Sequence, residues 1–264
     1  MKRAKDIIIW TIILAYIGIA FGFIAEKHQA LVCTRVDVHI VDSFKNSFIG
    51  ENRIKTLLDR RGFKLIGQPF SDIDLDSIES YINTLPPVEK GEVYKTTDGR
   101  VVVDITQRTP IIRVIDNNND SYYIDNNGFI MPMSGNFTSY VIVANGNIRT
   151  NFAVNKRTNV LKIEEASKGK QKLFADLYRL GKFITSHKFW NAQIQQIYVD
   201  GSGDFELIPR VGSHVILFGD YSDCETKFDN LMSLYKNGFP VKGWNTYETI
   251  NLKYKGQVIC SKRN

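Results

Sequence analysis

The chain has 264 residues, of which 43% are hydrophobic and 23% charged, and its formal net charge is +6. A chain of this length and composition has enough apolar side chains for one large or two modest packed domains. Outside the N-terminal tail the basic excess is spread thinly, which argues against nucleic acid as a ligand.

An uncharged apolar run occupies residues 7–24, after a short basic tail at residues 1–6. As a helix this run is about 27 Å long, which is enough to cross a bilayer. A cleavable signal peptide fits less well, because its apolar part is usually shorter and ends in small residues, whereas Phe23 and Ile24 close this run. The sequence therefore predicts one transmembrane helix over residues 7–24, with the basic tail in the cytoplasm and the rest outside it.

The first predicted module begins with a strand and two helices. Val36, Val38 and Ile40 alternate with polar residues, which indicates a half-buried strand. A helical pattern then ends at Gly62, and a second helix, with apolar residues from Leu75 to Ile82, must end before Pro86 and Pro87. The segments GEVYK and RVVVDITQR flank the turn Thr97-Asp98-Gly99 and predict a hairpin. The predicted order is β-α-α-β-β.

Three aspartates, Asp72, Asp74 and Asp76, stand at the start of the second helix. Their spacing is that of the opening of a calcium loop, but Ser77 and Asn83 stand where such a loop needs glycine and glutamate. Helix capping and compensation of the helix dipole explain the acidic residues better.

The stretch PIIRVIDNNNDSYYIDNNGF, residues 110–129, follows this hairpin and contains two asparagine-rich turns. Asn127-Gly128 supplies the positive φ that a tight hairpin turn requires. The remaining residues are rich in strand signals, including SYVIVANG, the run Leu161–Ile163 and HVILFG. Two helical patterns interrupt them, one from Leu173 to Ile184 and one from Phe228 to Tyr235. The sequence thus predicts an α+β protein whose second module is a β-rich domain with two helices.

These features together resemble the FtsQ/DivIB family of cell-division proteins. The β-α-α-β-β order, the Leu85-Pro86-Pro87-Val88 break and the ending QRTPIIR are similar to the POTRA (polypeptide-transport-associated) domain of that family. A family motif that opens the following β domain is matched by Pro110, Arg113, Asp125 and Gly128, although Ile112 replaces its small residue. The stretches SHVILFGDYSDCETKFDNLMSLY and ETINLKYKGQVI resemble the rest of that domain. The resemblance implies a POTRA domain at residues 34–108 and an FtsQ-type β domain at residues 109–260.

No constellation of catalytic or metal-ligating residues stands out in the sequence. The four histidines are far apart, and there is no P-loop, no G-x-S-x-G elbow and no S-x-x-K motif. The three cysteines are widely spaced and odd in number, which does not indicate a disulfide framework, although one Cys224–Cys260 bridge stays open. We therefore predict no catalytic residue, no metal and no cofactor.

The C-terminal segment YETINLKYKGQVI places Ile250, Leu252 and Tyr254 on one face of a predicted strand that turns at Gly256. An edge strand can accept a strand from a partner chain. The resemblance implies that this end of the β domain pairs with FtsB, with FtsL alongside, and that Lys253 replaces the arginine of well-known members. The predicted partner-binding residues are Ile250, Asn251, Leu252, Lys253, Tyr254, Gln257, Val258 and Ile259.

The resemblance also implies a function. We expect a single-pass protein of the cytoplasmic membrane, located at the division septum, that recruits FtsB and FtsL and links early and late divisome proteins. The alternative is a POTRA-containing secretion or envelope-assembly component that binds extended client chains. Both expectations describe a protein without enzymatic activity.

Overall fold

The computed structural model describes residues 10–19, 31–42, 46–135, 137–154, 157–168 and 171–263. These residues divide into two compact units. The first unit contains residues 49–84 and 88–107 together with the described residues up to 42. The second unit contains residues 46–48 and 85–87 and the described residues from 108 onward.

The predicted transmembrane run is described only in part. Residues 10–19 form a helix, α1. Across the described ranges, no helix is both long enough and apolar enough to cross a membrane. The remaining parts of the predicted span, residues 7–9 and 20–24, and the tail at residues 1–6 lie outside the described residues.

The first unit is a three-stranded sheet with helices, in the predicted β-α-α-β-β order. Its sheet has the order β1-β3-β2, with β1 parallel and β2 antiparallel to β3. A short 3₁₀ turn, Phe70–Asp72, precedes the second of its helices. The elements are β1 (Arg35–Ile40), α2 (Glu51–Arg61), α3 (Leu75–Ile82), β2 (Val88–Lys95) and β3 (Arg100–Gln107).

Local sequence explains where these helices begin and end. Gly62 caps α2 in the left-handed conformation, with φ of +95°, and its N–H donates to the Asp59 carbonyl. Asp74 is the N-cap of α3, where its carboxylate accepts a hydrogen bond of 3.1 Å from the Ser77 backbone N–H. The aspartates at this helix start therefore include a capping residue, as the sequence indicated.

The second unit is built on one nine-stranded sheet with the order β12-β11-β10-β9-β8-β7-β4-β5-β6. The pairs β4–β7, β7–β8 and β10–β11 are parallel, and the remaining pairs are antiparallel. The strands are β4 (Pro110–Ile115), β5 (Ser121–Asp125), β6 (Ile130–Pro132), β7 (Ile142–Gly146), β8 (Ile194–Val199), β9 (Phe205–Pro209), β10 (Val215–Gly219), β11 (Tyr247–Asn251) and β12 (Ile259–Lys262).

More helices accompany this sheet than the two that the sequence predicts. The described residues contain α4 (Val160–Ala166), α5 (Leu173–Ser186), α6 (Lys188–Gln193), α7 (Cys224–Ser233) and α8 (Phe239–Lys242), with a π-helical turn before α8. The prediction was wrong at Leu161–Ile163, which lies in α4 and not in a strand. Asn159 starts that helix by accepting a hydrogen bond of 2.9 Å from the Leu161 N–H.

The main core of the second unit lies on one face of the sheet, under its helices. Ile112 of β4 is fully buried there, and α5 approaches it so closely that a Cβ added to Gly181 would lie 2.2 Å from Ile112 Cδ1. Successive residues of β5 point to opposite faces. Tyr122 therefore belongs to the main core, whereas Tyr123 packs with Phe48 and Met131 on the other face.

The asparagine-rich stretch forms two consecutive hairpins. The Asp116 carboxylate closes the β4–β5 turn by accepting hydrogen bonds of 2.9 and 3.0 Å from the N–H groups of Asn118 and Asp120. Gly128 stands in the β5–β6 turn with φ of +79°. The positive φ expected of Asn127-Gly128 is therefore confirmed at the glycine.

Candidate functional site

The predicted partner-binding residues begin in β11, which is an interior strand of the sheet. On one side β11 pairs in parallel with β10, where Ile250 is opposite Ile216. On the other side it pairs with β12, where Ile250 is opposite Cys260 and Asn251 is opposite Ile259. Ile250 is fully buried. The expectation that the strand at Ile250 is an edge therefore has to be corrected, because β12 covers its outer side.

The strand is also shorter than the alternating pattern predicts. It ends at Asn251, whose side-chain oxygen accepts a hydrogen bond of 2.9 Å from the Lys253 N–H. Leu252 is still buried and bonded to the sheet, whereas Tyr254 lies beyond the strand and is 55% exposed. Gly256, with φ of +69°, and a hydrogen bond from the Gln257 N–H to the Tyr254 carbonyl turn the chain back toward β12.

Among the strands that the structure describes, the edge of the sheet at this end is β12, which pairs with β11 alone. Ile259, the first residue of β12, is 44% exposed. Gln257 is exposed, and Val258 is partly buried against the main core. Of the predicted residues, Tyr254 and Gln257 are exposed in the segment before β12 and Ile259 is exposed at the start of β12, whereas Ile250 and Leu252 are buried. Of the residues of β12, only Ile259 was among the predicted ones, and Cys260, Ser261 and Lys262 were not.

Arg263 fastens the end of β12 to the rest of the unit. Its Nη1 donates a hydrogen bond of 2.8 Å to Ser213 Oγ, and its Nη2 donates one of 2.5 Å to the Ser213 carbonyl. Its backbone N–H donates to the Thr246 carbonyl at 3.0 Å. These contacts hold the edge strand in register without occupying its outer side.

Lys253 has a partner within the chain. Its Nζ lies 2.5 Å from Asp204 Oδ2, and this hydrogen bond raises the pKa of Lys253. Asp204 belongs to the turn between β8 and β9. The two residues are 49 positions apart, so no local pattern connects them.

A small polar cavity lies beside Tyr254, with a volume of about 240 Å³. Lys227 at its wall is mostly buried, and its Nζ donates a hydrogen bond of 2.8 Å to the Asp220 carbonyl. A hydrogen bond from the Ser222 hydroxyl and the nearby Lys227 ammonium keep the pKa of Asp220 below its usual range. Gly219 at this wall has φ of +78°, a left-handed conformation that favours glycine. The cavity is therefore a preformed polar recess next to an exposed aromatic side chain.

The described residues offer no group of three or more His, Cys, Asp or Glu side chains that could hold a metal ion. Cys33, Cys224 and Cys260 are all free thiols, so the Cys224–Cys260 bridge that the sequence left open is not formed. Burial raises the pKa of Cys224 to about 12, which makes this thiol a poor nucleophile.

Comparison with known families gives two matches that are adjacent along the chain. Residues 31–106 match the POTRA-like domain. Residues 109–261, more than half of the chain, match the family described as FtsQ/DivIB, C-terminal related. Both are families that are generally non-catalytic. No curated protein matches the chain.

Proposed function

The chain belongs to the family described as FtsQ/DivIB, C-terminal related, and from this premise we propose that it is a bitopic cell-division scaffold resembling FtsQ. It acts by binding other proteins and not as an enzyme. Its partners are FtsB and FtsL, which it recruits to the division septum, and it thereby links early and late divisome proteins. Residues 7–24 anchor it in the cytoplasmic membrane, with the basic tail inside and both units outside.

The observation that carries this proposal is the form of the C-terminal sheet edge. Within the described part of the chain β12 is paired on one side only; it carries the exposed side chain of Ile259, and Tyr254 is exposed in the segment that leads to it. An extended segment of FtsB can complete the sheet by pairing with the outer side of β12. The proposed binding site is thus centred on β12, which begins at the predicted residue Ile259, and not on the strand that contains Ile250.

Strand pairing alone does not explain a stable complex. The four residues of β12 offer about four hydrogen bonds of about 1 kcal/mol net each, and ordering the partner costs a comparable amount. Side chains must supply the rest. Tyr254 is the best candidate for the aromatic anchor, because it is 55% exposed and lies at the mouth of the polar cavity.

Lys253 contributes to partner selection in a specific way. An acidic side chain of FtsB that binds Lys253 has to compete with Asp204, which lies 2.5 Å from its Nζ. This exchange of one carboxylate for another yields little net affinity. Lys253 instead selects against a partner that brings a basic residue to the same position, because two positive charges then face each other.

The test is a binding measurement with the full chain in lipid nanodiscs and the extracytoplasmic part of FtsB from the same organism, with and without FtsL. We expect saturable binding to the wild type. Tyr254→Ala and Ile259→Asp should each weaken it at least tenfold, which corresponds to about 1.4 kcal/mol. Tyr140→Ala is the matched control, since Tyr140 is an 88% exposed tyrosine of the same unit next to β7.

The outcomes separate the two functions that the sequence left open. If the folded wild type binds neither FtsB nor FtsB with FtsL, the scaffold proposal fails, and a secretion or envelope-assembly role becomes the better explanation. If binding occurs but Tyr140→Ala weakens it as much as Tyr254→Ala, the contact does not lie at the β12 edge.

A further inference from the structure

The second unit carries exposed apolar side chains at one end of its sheet. At this end β8, β10 and β11 begin and β9 ends, whereas the polar cavity beside Tyr254 lies at the other end of the same strands. Phe189 of α6 and Val211 of the β9–β10 loop are both exposed. Val241 of α8 is 76% exposed, and Trp244, two residues after α8, is 36% exposed.

A buried aromatic cluster connects the segments that carry these side chains. The Tyr235 ring lies 6.0 Å from the Phe189 ring and 5.3 Å from the Trp244 ring, measured between centroids. The Phe239 ring lies 4.8 Å from the Trp244 ring. Tyr235 Oη is also 2.9 Å from Nε2 of the buried His214, which follows the β9–β10 loop. The exposed side chains therefore stand on one common floor and form a single apolar patch.

The loop that carries Trp244 is held in place by hydrogen bonds on both sides. The Gly243 N–H donates to the Phe239 carbonyl at 2.8 Å. The Ser213 hydroxyl bonds Asn245 Oδ1 at 3.0 Å, and Arg263 Nη1 bonds the Ser213 hydroxyl at 2.8 Å. Because these contacts fix the loop in advance, little conformational entropy is lost when it binds a partner.

The charge at this end of the sheet is positive. The patch and its floor come from residues 177–199, 207–219 and 230–247, and none of these stretches contains an aspartate or a glutamate. The exposed lysines that alternate with the patch residues along the chain are Lys188, Lys236 and Lys242. The surface is therefore both apolar and basic, and it complements a partner that is apolar and anionic.

A bilayer that contains anionic lipid combines these two properties. A tryptophan ring is suited to the boundary between headgroups and acyl chains, because its apolar body leaves water while its N–H stays hydrated. Lysine stems can lie along apolar surface while their ammonium groups contact anionic headgroups. Basic side chains around tryptophan, phenylalanine and aliphatic residues are the pattern of protein surfaces that lie on membranes.

We propose that this patch docks on the surface of an anionic lipid bilayer, so that the second unit itself contacts the membrane. Val241 and Trp244 enter the boundary between headgroups and acyl chains, and Lys236 and Lys242 bind anionic headgroups. The inference rests on the proposed function only in that residues 7–24 keep the protein at a bilayer.

The experiment measures quenching of tryptophan fluorescence by brominated lipid with the full chain in nanodiscs. The chain has three tryptophans, namely Trp10, Trp190 and Trp244, and Trp190 is buried. In the variant Trp10→Phe, quenching therefore reports on Trp244, and the double variant Trp10→Phe with Trp244→Phe gives the background. We expect quenching at least twofold stronger with brominated phosphatidylglycerol in the nanodisc than with brominated phosphatidylcholine alone. The difference should disappear at 1 M salt, where the Debye length is about 3 Å.

Two charge reversals in the Trp10→Phe background test the role of the lysines. Lys236→Glu combined with Lys242→Glu should lower the quenching of Trp244 to the level seen in phosphatidylcholine. Lys162→Glu combined with Lys172→Glu is the matched control, because it reverses as many charges in the same unit. Lys172 precedes α5, whose 14 residues span about 21 Å, and this control should keep the quenching of the parent protein. Val241→Asp should also abolish the difference between the two lipids.

The fluorescence of Trp10 separates this proposal from the proposed anchor, because the difference between wild type and Trp10→Phe reports on residue 10. Quenching of Trp10 without quenching of Trp244 overturns the lipid contact and leaves the anchor standing. Quenching of Trp244 without quenching of Trp10 supports the lipid contact and contradicts the anchor. Equal quenching of Trp244 in both lipids, or an equal loss in the two charge-reversal variants, also overturns the proposal.

Discussion

Arg108 and Asp125 form a buried ion pair in the second unit, with Arg108 Nη1 2.7 Å from Asp125 Oδ2 and the two side chains 1% and 0% exposed. The guanidinium also lies over the Phe129 ring, at 4.1 Å from its centroid. The other carboxylate oxygen of Asp125 accepts hydrogen bonds from the Asn127 and Phe129 N–H groups at 2.9 and 2.7 Å. One carboxylate therefore fixes both the segment that enters β4 and the β5–β6 turn.

Removal of one member of this pair should be costly. Arg108→Leu leaves a buried carboxylate without its counter-ion, and we expect the free energy of unfolding of the second unit to fall by about 3–5 kcal/mol. Lys90→Ala, which breaks the exposed Lys90–Glu92 pair, should leave the free energy of unfolding of the first unit nearly unchanged, because solvent screens an exposed ion pair. Urea unfolding, monitored with one probe in each unit, measures both changes in the free energy of unfolding. Similar small losses in the two variants would contradict the structural role of the buried pair.

Gly181 should not tolerate alanine, although alanine favours helices. Within a helix, alanine is more favourable than glycine by about 1 kcal/mol of intrinsic helix propensity. The new methyl group, however, would lie 2.2 Å from Ile112 Cδ1 and 2.5 Å from its Cγ1. Overpacking of this kind costs about 1–3 kcal/mol or more, so we expect a net loss. The double variant Gly181→Ala with Ile112→Val should lose less than the sum of the single variants. A strictly additive double-mutant cycle would rule out the steric explanation.

Asn83→Ala should destabilise the first unit by about 1–3 kcal/mol, because the Gly91 N–H and carbonyl lose their partner and Asn83 also bonds the Glu79 carbonyl. The same change should expose the β2 edge. Amide hydrogen exchange at Gly91 measures this opening directly. Thr84→Ala, at the adjacent exposed position, is the control, and equal exchange rates at Gly91 in both variants would show that Asn83 does not close the edge.

His214 should make the second unit less stable in mild acid. It is buried, with Nε2 2.9 Å from Tyr235 Oη, and burial together with the nearby Arg263 charge lowers the pKa of His214. Below the unfolded pKa of about 6.5 the unfolded chain takes up a proton that the folded chain does not. Stability therefore falls as pH decreases from about 6.5 toward the folded pKa, by at most about 1.4 kcal/mol per pH unit.

To test the role of His214, the slope of the free energy of unfolding against pH is compared between variants, and not the free energy at a single pH. Urea unfolding between pH 7.5 and 5 should give a flatter profile for His214→Phe than for the wild type. His187→Ala, at an exposed histidine of the same unit, is measured alongside as the control for removal of an imidazole. If His214→Phe keeps the same slope as the wild type, groups other than His214 cause the loss of stability in acid.

Arg263→Ala should loosen the β12 edge while the rest of the unit stays intact. The variant loses two hydrogen bonds to Ser213, which are worth about 1 kcal/mol each at a solvent-exposed site. Amides of β12 should then exchange several-fold faster, and those of β8 should not change. Lys262→Ala, on the same strand, should keep the wild-type rates, and faster exchange in both variants would point to general fraying of the strand.

The first unit was more predictable from the sequence than the second because its signals are local. Gly62 and Asp74 mark a helix end and a helix start by their own backbone chemistry. The glycine of the turn at Thr97-Asp98-Gly99 adopts the expected positive φ, +86°. Each of these signals acts within a few residues, so no knowledge of the tertiary structure was needed.

The C-terminal edge was less predictable because it depends on distant pairings. An alternating pattern shows that Ile250 is buried, but it does not show which strand lies on its outer side. That strand is β12, whose short run ICSK carries only a weak strand signal. Likewise, Lys253 is an ordinary exposed lysine in the sequence, and only the fold brings Asp204 to it.

The parallel pairing of β10 with β11 has a consequence for the rate at which the second unit folds. The chain between these strands has to pass through α7 and α8 before Ile250 can reach Ile216, and such non-local pairings form slowly. The β11–β12 hairpin can therefore dock only after this crossover is in place. We expect its amides to gain protection last during refolding, so that the C-terminal edge of the sheet is completed only at the end of the folding pathway.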